Sequence, residues 1–399
     1  MAFATIGTKG IADATIATAD IADNAVTSAK TSGIPARPNA QPIIINGDMG
    51  VWQRSTSTVT MSDGYYNVDR YRGENNVASS AATWSRSTSV PDNTGLAYSL
   101  QVDCTTADAS IAAGEQCGIQ QTIEAQDLQL LKWGTSDAEA LTVAFWCKSN
   151  QTGQHSVALR KLDNTNYCQP KTYTISSADT WEKKVLTFSA LTLSGGAIAN
   201  DTGDGLQIHW KLSAGSNYQG TADTWTATNQ GATAVSGDVN FLSSTDNDFY
   251  ITGIQMEVGT YTSSTIPPFQ HETYANNLMR CRRYCNLHMN TDQDGGPFLN
   301  QCFAYTSSNW QSSLQLVPPM RAVPTVTSVS GTNYYVIFSN GGTVNYNQID
   351  YNSATLSGGV CTVVDLSLDS ASGGTAGHAG KTRGNQTGAG TMCLFDSEL

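Results

Sequence analysis

Aromatic side chains with amide and hydroxyl neighbours are the residues of this sequence best suited to binding chemistry. Trp225 lies in TADTWTATNQ, Trp310 lies in SSNW, and Tyr346 and Tyr351 lie in GGTVNYNQIDYN. Sugars stack their C–H faces on tryptophan or tyrosine, while Asn, Asp and Gln side chains bind the hydroxyls. The sequence therefore predicts receptor glycan contacts at these four residues. The alternative is partial burial in a β-sandwich, where Trp and Tyr are often found.

The motifs of catalytic and cofactor sites are incomplete. AGHAGKT resembles the end of a phosphate-binding loop, but Thr375 stands where G-x-x-x-x-G-K-[ST] requires its first glycine. No G-x-S-x-G or H-E-x-x-H run occurs, and the acidic residues are scattered through turns rather than paired. We therefore predict no catalytic residue, no cofactor and a protein that is not an enzyme.

One run has the ligand spacing of a calcium loop. In NTDQDGG the oxygen ligands would come from Asn290, Asp292 and Asp294, but the twelfth position is Gln301, where a Glu is required. A polar turn is the favoured interpretation, and calcium near Asp292 is the alternative. The sequence predicts no metal ligands elsewhere.

Charge and composition narrow the range of partners and compartments. The 399 residues include 21 Lys+Arg and 33 Asp+Glu, a net charge of −12, which disfavours nucleic acid and anionic membranes. No apolar run reaches the roughly 18 residues of a transmembrane helix, so no membrane insertion is expected. The start, MAFATIGTKG, lacks the basic and apolar regions of a secretory signal. The nine cysteines indicate buried thiols in a protein folded in a reducing cytoplasm.

Short strand-like runs separated by turn clusters such as PDNTG and NDTGDG fill the sequence from Ile43 onwards. Two runs, LTVAFWCKS and FYITGIQMEV, alternate as strands with one buried face do. The residues predicted to face the core are Leu141, Val143, Phe145 and Cys147 in the first run and Tyr250, Thr252, Ile254, Met256 and Val258 in the second. The tryptophans predicted to be core residues are Trp52, Trp84, Trp133, Trp146, Trp181 and Trp210. The pattern predicts an all-β protein built as a sandwich or jelly roll.

The N-terminal stretch has a period of five residues. IADATIATAD is followed directly by IADNAVTSAK, and the recurring aliphatic residues are Ile6, Ile11, Ile16, Ile21 and Val26. A step of five scatters side chains around a helix and alternates between the faces of a strand. Burial of these side chains within one chain stabilises the segment by less than its ordering costs. The segment therefore needs identical chains around a symmetry axis or a docking partner, or else stays disordered.

A single run, TYANNLMRCRRYC, has the spacing of an amphipathic helix, with an apolar stripe at Tyr274, Leu278, Cys281 and Cys285. It follows IPPF, where the first set of strands ends, and precedes a second, smaller set. The predicted organisation is an N-terminal trimerisation or docking segment with its linker at 1–41, a jelly roll at 42–270, a bridging helix at 271–286 and a smaller C-terminal β-sandwich at 287–399.

Four motifs follow one another along the chain. They are INGDMGVWQR at 45–54 with Asp69-Arg70-Tyr71, then FYITGIQMEVG with PPF and CRRYC, then VPPMRAVPTV, and finally FDSEL. In this order they resemble bacteriophage tail fibre proteins that carry a jelly roll like that of carbohydrate-binding modules. The N-terminal run is similar to the I-x-D-x-x-[IV]-T-x-A-K repeats of such fibres. Tyr71, Met256 and Cys285 depart from the family pattern, but they are core-type replacements of modest cost.

The resemblance implies a homotrimeric fibre of the virion. Its N-terminus would dock on the phage tail through an adaptor or another virion protein, and its β-domains would bind a host surface glycan or outer-membrane component. It would fold in the host cytoplasm without a signal peptide. The alternatives are a head fibre or capsid decoration protein, and a surface-polysaccharide hydrolase or esterase. The sequence between the motifs varies in this family, so no sugar-binding residue follows from the resemblance.

Overall fold

A computed structural model describes residues 41–228, 231–291, 298–328, 334–339, 342–346, 349–369, 374–384 and 391–399. The five aliphatic residues of the N-terminal repeat lie outside these ranges, and so do Asp292 and Asp294 of the calcium-like run, so the predictions about them stay predictions. The described part is nearly all β, as predicted, and its one α-helix is α1 (Tyr274–Arg282).

Fourteen strands precede the helix in the described residues. They are β1 Val59–Thr60, β2 Tyr71–Asn75, β3 Ala81–Ser87, β4 Ser99–Thr106, β5 Gln116–Glu124, β6 Leu141–Ser149, β7 Gly153–Lys161, β8 Tyr167–Ile175, β9 Glu182–Phe188, β10 Asp204–Ala214, β11 Gln219–Gly220, β12 Thr226–Ala227, β13 Ala234–Val235 and β14 Asp248–Val258. Short 3₁₀ helices cover Ala125–Leu131, Ser216–Tyr218 and Phe241–Ser243. Sheet A has the order β1-β3-β4-β14-β6-β9, and sheet B has the order β12-β8-β7-β10-β5-β2. Non-sequential neighbours of this kind are typical of a jelly roll.

Sheets A and B enclose one apolar core, which forms the first sandwich. The predicted alternation on β6 is confirmed, because Leu141, Val143, Phe145 and Cys147 are all buried in this core. Trp210 on β10 packs edge-to-face on Phe145 of the opposite sheet, with ring centroids 5.8 Å apart. Tryptophans predicted as core residues and found there are Trp52, Trp84, Trp133 and Trp210. Trp146 and Trp181 are half-buried instead, which corrects the prediction for these two.

Strand β14 breaks the predicted alternation at a β-bulge. Its register with β6 shifts at Gly253, whose φ is 61°. Before the bulge the core residues are Phe249 and Ile251, so Tyr250 and Thr252 point away from the core. The prediction for Tyr250 and Thr252 was wrong because an inserted residue exchanges the two faces of a strand. After the bulge, the alternation follows the prediction.

Ten strands follow the helix in the described residues. They are β15 Cys285–Thr291, β16 Phe298–Ala304, β17 Asn309–Met320, β18 Thr325–Ser328, β19 Tyr335–Ser339, β20 Gly342–Tyr346, β21 Asp350–Ser357, β22 Val360–Asp369, β23 Ala379–Gly384 and β24 Thr391–Asp396. Sheet C has the order β20-β19-β23-β16-β17-β22-β21, and sheet D has the order β15-β24-β18. Residues of both sheets share a second core, which makes this part a second, smaller sandwich. The nine cysteines of the chain are free and buried, as predicted.

Helix α1 packs by a partly polar face on Ile45 and Val51, which lie ahead of β1, and it also contacts β15 and β17 of the second sandwich. It begins after Thr273, whose hydroxyl accepts a hydrogen bond from a backbone N–H of the first turn. Tyr274, predicted for the apolar stripe, is 62% exposed. The buried residues are Asn277 and Cys281. The Asn277 amide donates to Oδ1 of Asp48 at 3.0 Å, so this polar side chain is hydrogen-bonded although it is buried. Among the described residues, no helix has the length and apolarity needed to span a membrane.

The two sandwiches meet at a cluster of ion pairs, hydrogen bonds and one stacked ring that we call the joint. It consists of Arg54, Arg70, Tyr284, Arg321 and residues 396–399. Arg70 pairs with Glu398, and Arg54 Nη2 lies 2.7 Å from Oδ2 of Asp396. The joint draws residues from the motifs that carry the resemblance, including DRY, CRRYC and FDSEL. In this structure those residues therefore connect the two sandwiches.

Candidate functional site

Trp310 is fully buried in the core of the second sandwich. Gly374 and Gly380 lie against its ring so closely that a Cβ at either position would come within 2.9 Å of it. A ring enclosed in this way cannot stack on a sugar, so the prediction of a receptor contact at Trp310 was wrong. The prediction rested on the polar neighbours of Trp310 in SSNW, but Trp310 is the second residue of the long strand β17 and points into the core.

The remaining predicted aromatic residues do not form one site. Trp225 is half-buried at the edge of sheet B, where its indole N–H donates to the Ser189 carbonyl at 2.9 Å and its ring packs edge-to-face on Trp133 at 5.2 Å. Tyr346 ends β20 and Tyr351 lies in β21, and these strands are at opposite edges of sheet C. The side chains of both tyrosines lie outside the described residues, so their roles remain predictions.

A cleft of about 350 Å³ lies on the outer face of sheet B, the face turned away from the core. Alternation in the strands explains its lining. On β10 the even-numbered residues of LQIHWKL, such as Trp210, enter the core, so His209 and Lys211 point outward. On β2 the same alternation turns Arg72 and Glu74 outward. None of these residues was predicted from the sequence. The signal that could have found them is the set of charged residues at alternate positions of strands in a chain of low charge.

The centre of the cleft is a buried network of three side chains. Oε2 of Glu74 accepts a hydrogen bond from Nζ of Lys211 at 2.5 Å and lies 3.3 Å from Nδ1 of His209. Lys211 also donates to Oε1 of Gln116 at 2.6 Å. These bonds hold the three side chains in one geometry, since buried polar networks are stable when every member is satisfied.

Electrostatics fix the charge states of this network. Burial alone would raise the pKa of Glu74, but the Lys211 ammonium and then His209 hold that pKa well below its ordinary value. Burial lowers the pKa of His209, against the smaller raising effect of Glu74. At neutral pH the carboxylate is therefore ionised and the imidazole is neutral. An ionised Glu74 has no proton to donate as a general acid, and the network serves binding better than glycoside hydrolysis.

The rim of the cleft supplies further hydrogen-bonding groups and one aromatic ring. The Arg72 guanidinium lies 3.7 Å from Oε1 of Glu74, and Arg160 donates to Oε1 of Gln207 at 3.4 Å. The half-exposed Tyr218 ring lies with its centroid 5.7 Å from Nζ of Lys211. Within the described ranges, no cluster of His, Cys, Asp and Glu could hold a metal ion. The cleft thus combines fixed donors and acceptors with an aromatic edge.

No family model and no curated protein matches this sequence. Among solved structures, the chain is similar to the enzymatically active domain of tailspike protein 4 of bacteriophage CBA120, with a TM-score of 0.28 and 14% identity over 54% of this chain and 21% of that chain. It is similar to the family 11 carbohydrate-binding module of Clostridium thermocellum, with a TM-score of 0.25 and 11% identity over 52% of this chain and 99% of that chain. A xylan-binding domain from Paenibacillus barcinonensis matches with a TM-score of 0.25 and 7% identity over 52% of this chain and 99% of that chain. At these scores, we transfer no function from these proteins.

Proposed function

We propose that this protein is a non-enzymatic virion fibre of a bacteriophage and that the cleft on sheet B binds a glycan of the host surface. The observation that carries the binding proposal is the buried network of Glu74, His209 and Lys211 inside the cleft. The volume of the cleft, about 350 Å³, lies within the range of sites for small ligands.

A sugar matches the groups of the cleft. Sugar hydroxyls both donate and accept hydrogen bonds, so they can pair with the donors of Arg72, Arg160 and Lys211 and with the carboxylate of Glu74. The Tyr218 ring offers an apolar surface for the C–H groups of the same ligand. Rigid groups of this kind bind with little loss of side-chain entropy.

The fibre part of the proposal is supported by the sequence. The four motifs occur in the order found in tail fibre proteins, and the period-five repeat requires a partner for its aliphatic residues. We propose that this segment forms a homotrimer and docks on the phage tail. A particle in which the chain lies on the head instead would favour a head fibre or capsid decoration protein.

An array of bacterial surface polysaccharides, probed with the full-length chain, tests the glycan proposal. Replacement of Arg72 and Arg160 together by alanine should weaken binding at least about tenfold, since charge-assisted hydrogen bonds contribute about 1.5–3 kcal/mol each. Arg86→Ala, an exposed arginine on sheet A, is the matched control and should bind normally. Equal binding by the cleft variant would contradict the proposal. New reducing ends or released acetate would instead favour a hydrolase or esterase.

A further inference from the structure

A second cavity, of about 330 Å³, lies on the outer face of sheet A, on the side of the first sandwich opposite the cleft. We call it the Trp146 pocket. Trp146 on β6 and Gly253 on β14 form its floor, and Leu96, Lys183 and Phe269 are among the residues of its walls. None of these residues lines the cleft on sheet B, so the two cavities are separate.

The bulge on β14 explains why the Trp146 ring is accessible. Gly253 has a φ of 61°, which side-chain-bearing residues rarely adopt. A Cβ at this position would lie 3.0 Å from Cδ1 of Trp146 and 3.0 Å from Cδ1 of Leu96. The glycine therefore leaves open the space beside the indole that a side chain would fill, and Trp146 remains half-buried rather than enclosed in the core.

Gln255 is a buried polar residue in the lining of this pocket. It is 5% exposed, and its amide Nε2 donates to the Pro267 carbonyl at 2.9 Å. Its Oε1 is buried and has no hydrogen-bond partner among the residues that the structure describes. A buried acceptor without a donor is unfavourable, because the hydrogen bonds that it made to water in the unfolded chain are not replaced. A ligand hydroxyl or amide N–H reaching Oε1 would remove that cost.

The walls of the pocket are held in place by contacts of their own. His271 Nε2 lies 3.1 Å from the Thr94 carbonyl, and the His271 ring packs edge-to-face on Phe269 with centroids 5.0 Å apart. Lys183 pairs directly with Trp146 in the register of β6 and β9 and is exposed. The pocket therefore presents two aromatic rings, a buried acceptor and a flexible cationic donor around one space.

We propose that the Trp146 pocket binds a single pyranose sugar residue, with its C–H face on the indole and a hydroxyl donating to Oε1 of Gln255. A purely apolar ligand would fill the same space but leave Oε1 of Gln255 unsatisfied, which disfavours it. The volume of about 330 Å³ is near the lower limit for small-ligand sites, so it suits one ring rather than an extended chain.

Nuclear magnetic resonance of the full-length chain with ¹⁵N-labelled tryptophan tests this proposal. The probes are the methyl glycosides of glucose and galactose and N-acetylglucosamine, each titrated to high millimolar concentration. We expect the Trp146 indole resonance, assigned by its loss in Trp146→Ala, to shift saturably with at least one probe. For the variants that lack the Trp146 indole, binding is measured by saturation transfer to the proton resonances of the probe itself. Trp146→Phe keeps a ring and should bind that probe more weakly, while Trp146→Ala should bind it at least about tenfold more weakly.

Trp181→Ala is the matched control, because Trp181 is half-buried on the same side of sheet A but packs on Tyr250 outside the pocket. It should leave the Trp146 response unchanged. The variant with Arg72 and Arg160 replaced by alanine should also keep this response, which separates the pocket from the cleft. A Trp146 resonance that no probe shifts would overturn the proposal. Binding that persists unchanged in Trp146→Phe and Trp146→Ala would overturn it as well.

Discussion

The carboxylate of Glu398 forms a buried ion pair with the guanidinium of Arg70, which lies 328 residues earlier in the sequence. The two side chains are 1% and 3% exposed for Arg70 and Glu398 respectively. The same guanidinium stacks on Tyr284, with Cζ 3.4 Å from the ring centroid, and donates to the Thr122 carbonyl. One arginine thus contacts sheet B, the chain just after α1 and the second sandwich.

Removal of the Glu398 charge should destabilise the whole molecule. Glu398→Gln leaves the Arg70 cation buried without its counter-charge, so the free energy of unfolding in urea should fall by about 3–5 kcal/mol. Glu139→Gln is the control, because its pair with Lys132 is about half exposed and should contribute less than about 1 kcal/mol. Equal losses in the two variants would contradict this role of the joint.

His155 should make the first sandwich less stable in acid. Burial lowers the pKa of His155 from 6.5 to about 4, and Lys184 adds a smaller lowering. The unfolded chain therefore takes up this proton first, so the stability that His155 contributes is present above pH 6.5 and is lost as the pH falls towards 4. The loss should be on the order of 2–3 kcal/mol.

His155→Leu should flatten this part of the pH profile. Above neutral pH, the free energies of unfolding in urea of the parent and the variant should differ by a constant amount. As the pH is lowered, the parent should lose stability relative to the variant. Parallel profiles down to pH 4 would show that His155 is not the group responsible.

Trp310→Ala should act through stability. The ring fills the core of the second sandwich, and the loss of a buried tryptophan costs about 3–5 kcal/mol. Thermal unfolding should therefore shift strongly downward, and any loss of adsorption should accompany misfolding. A variant that melts like the parent but adsorbs poorly would restore Trp310 as a receptor contact.

Tyr346 and Tyr351 should contribute separately to adsorption. Their strands lie at opposite edges of sheet C, so the effects of Tyr346→Ala and Tyr351→Ala on the free energy of binding should add. The double variant should adsorb much more weakly because a trimer multiplies small losses through avidity, while its melting temperature stays nearly unchanged. Normal adsorption, or unfolding of the double variant, would return both tyrosines to a structural role and shift attention to Trp225.

The period-five segment should control assembly. The full-length chain should be a trimer by light scattering, because Ile6, Ile11, Ile16, Ile21 and Val26 require a shared core. Deletion of residues 1–35 should leave the first sandwich folded, as judged by circular dichroism, but should abolish incorporation into particles. A full-length monomer at micromolar concentration would contradict the trimer, and incorporation of the shortened chain would contradict the docking role.

Local pattern predicted the class of fold and much of its core. The alternation of LTVAFWCKS was sufficient to place Phe145 and Cys147 inward, since a strand with one buried face has a strict period of two. The same rule failed on β14, where the bulge at Gly253 depends on pairing with β6 and not on the run itself. The prediction that Trp146 is a core residue overlooked the same rule, because Trp146 lies between Phe145 and Cys147 and must point outward.

The candidate cleft was harder to predict because its residues come together only through sheet order. Glu74 and Lys211 lie on β2 and β10, which are separated in sheet B by β5. Each residue by itself has the pattern of a solvated strand face, and only long-range pairing makes them one network. Aromatic residues in polar runs were a weaker guide, because Ser307 and Ser308 lie in a bend just before β17, whereas Trp310 is already inside the strand and faces the core.

The Arg70 to Glu398 pair sets an order of events during synthesis. At about 5–20 residues per second, a ribosome needs roughly 16–65 s to extend the chain from Arg70 to Glu398. Throughout that interval the nascent chain carries the Arg70 guanidinium without its counter-charge, which has not yet been made. Closure around Arg70 is therefore a late folding step, and until then water must solvate the cation that the finished protein encloses.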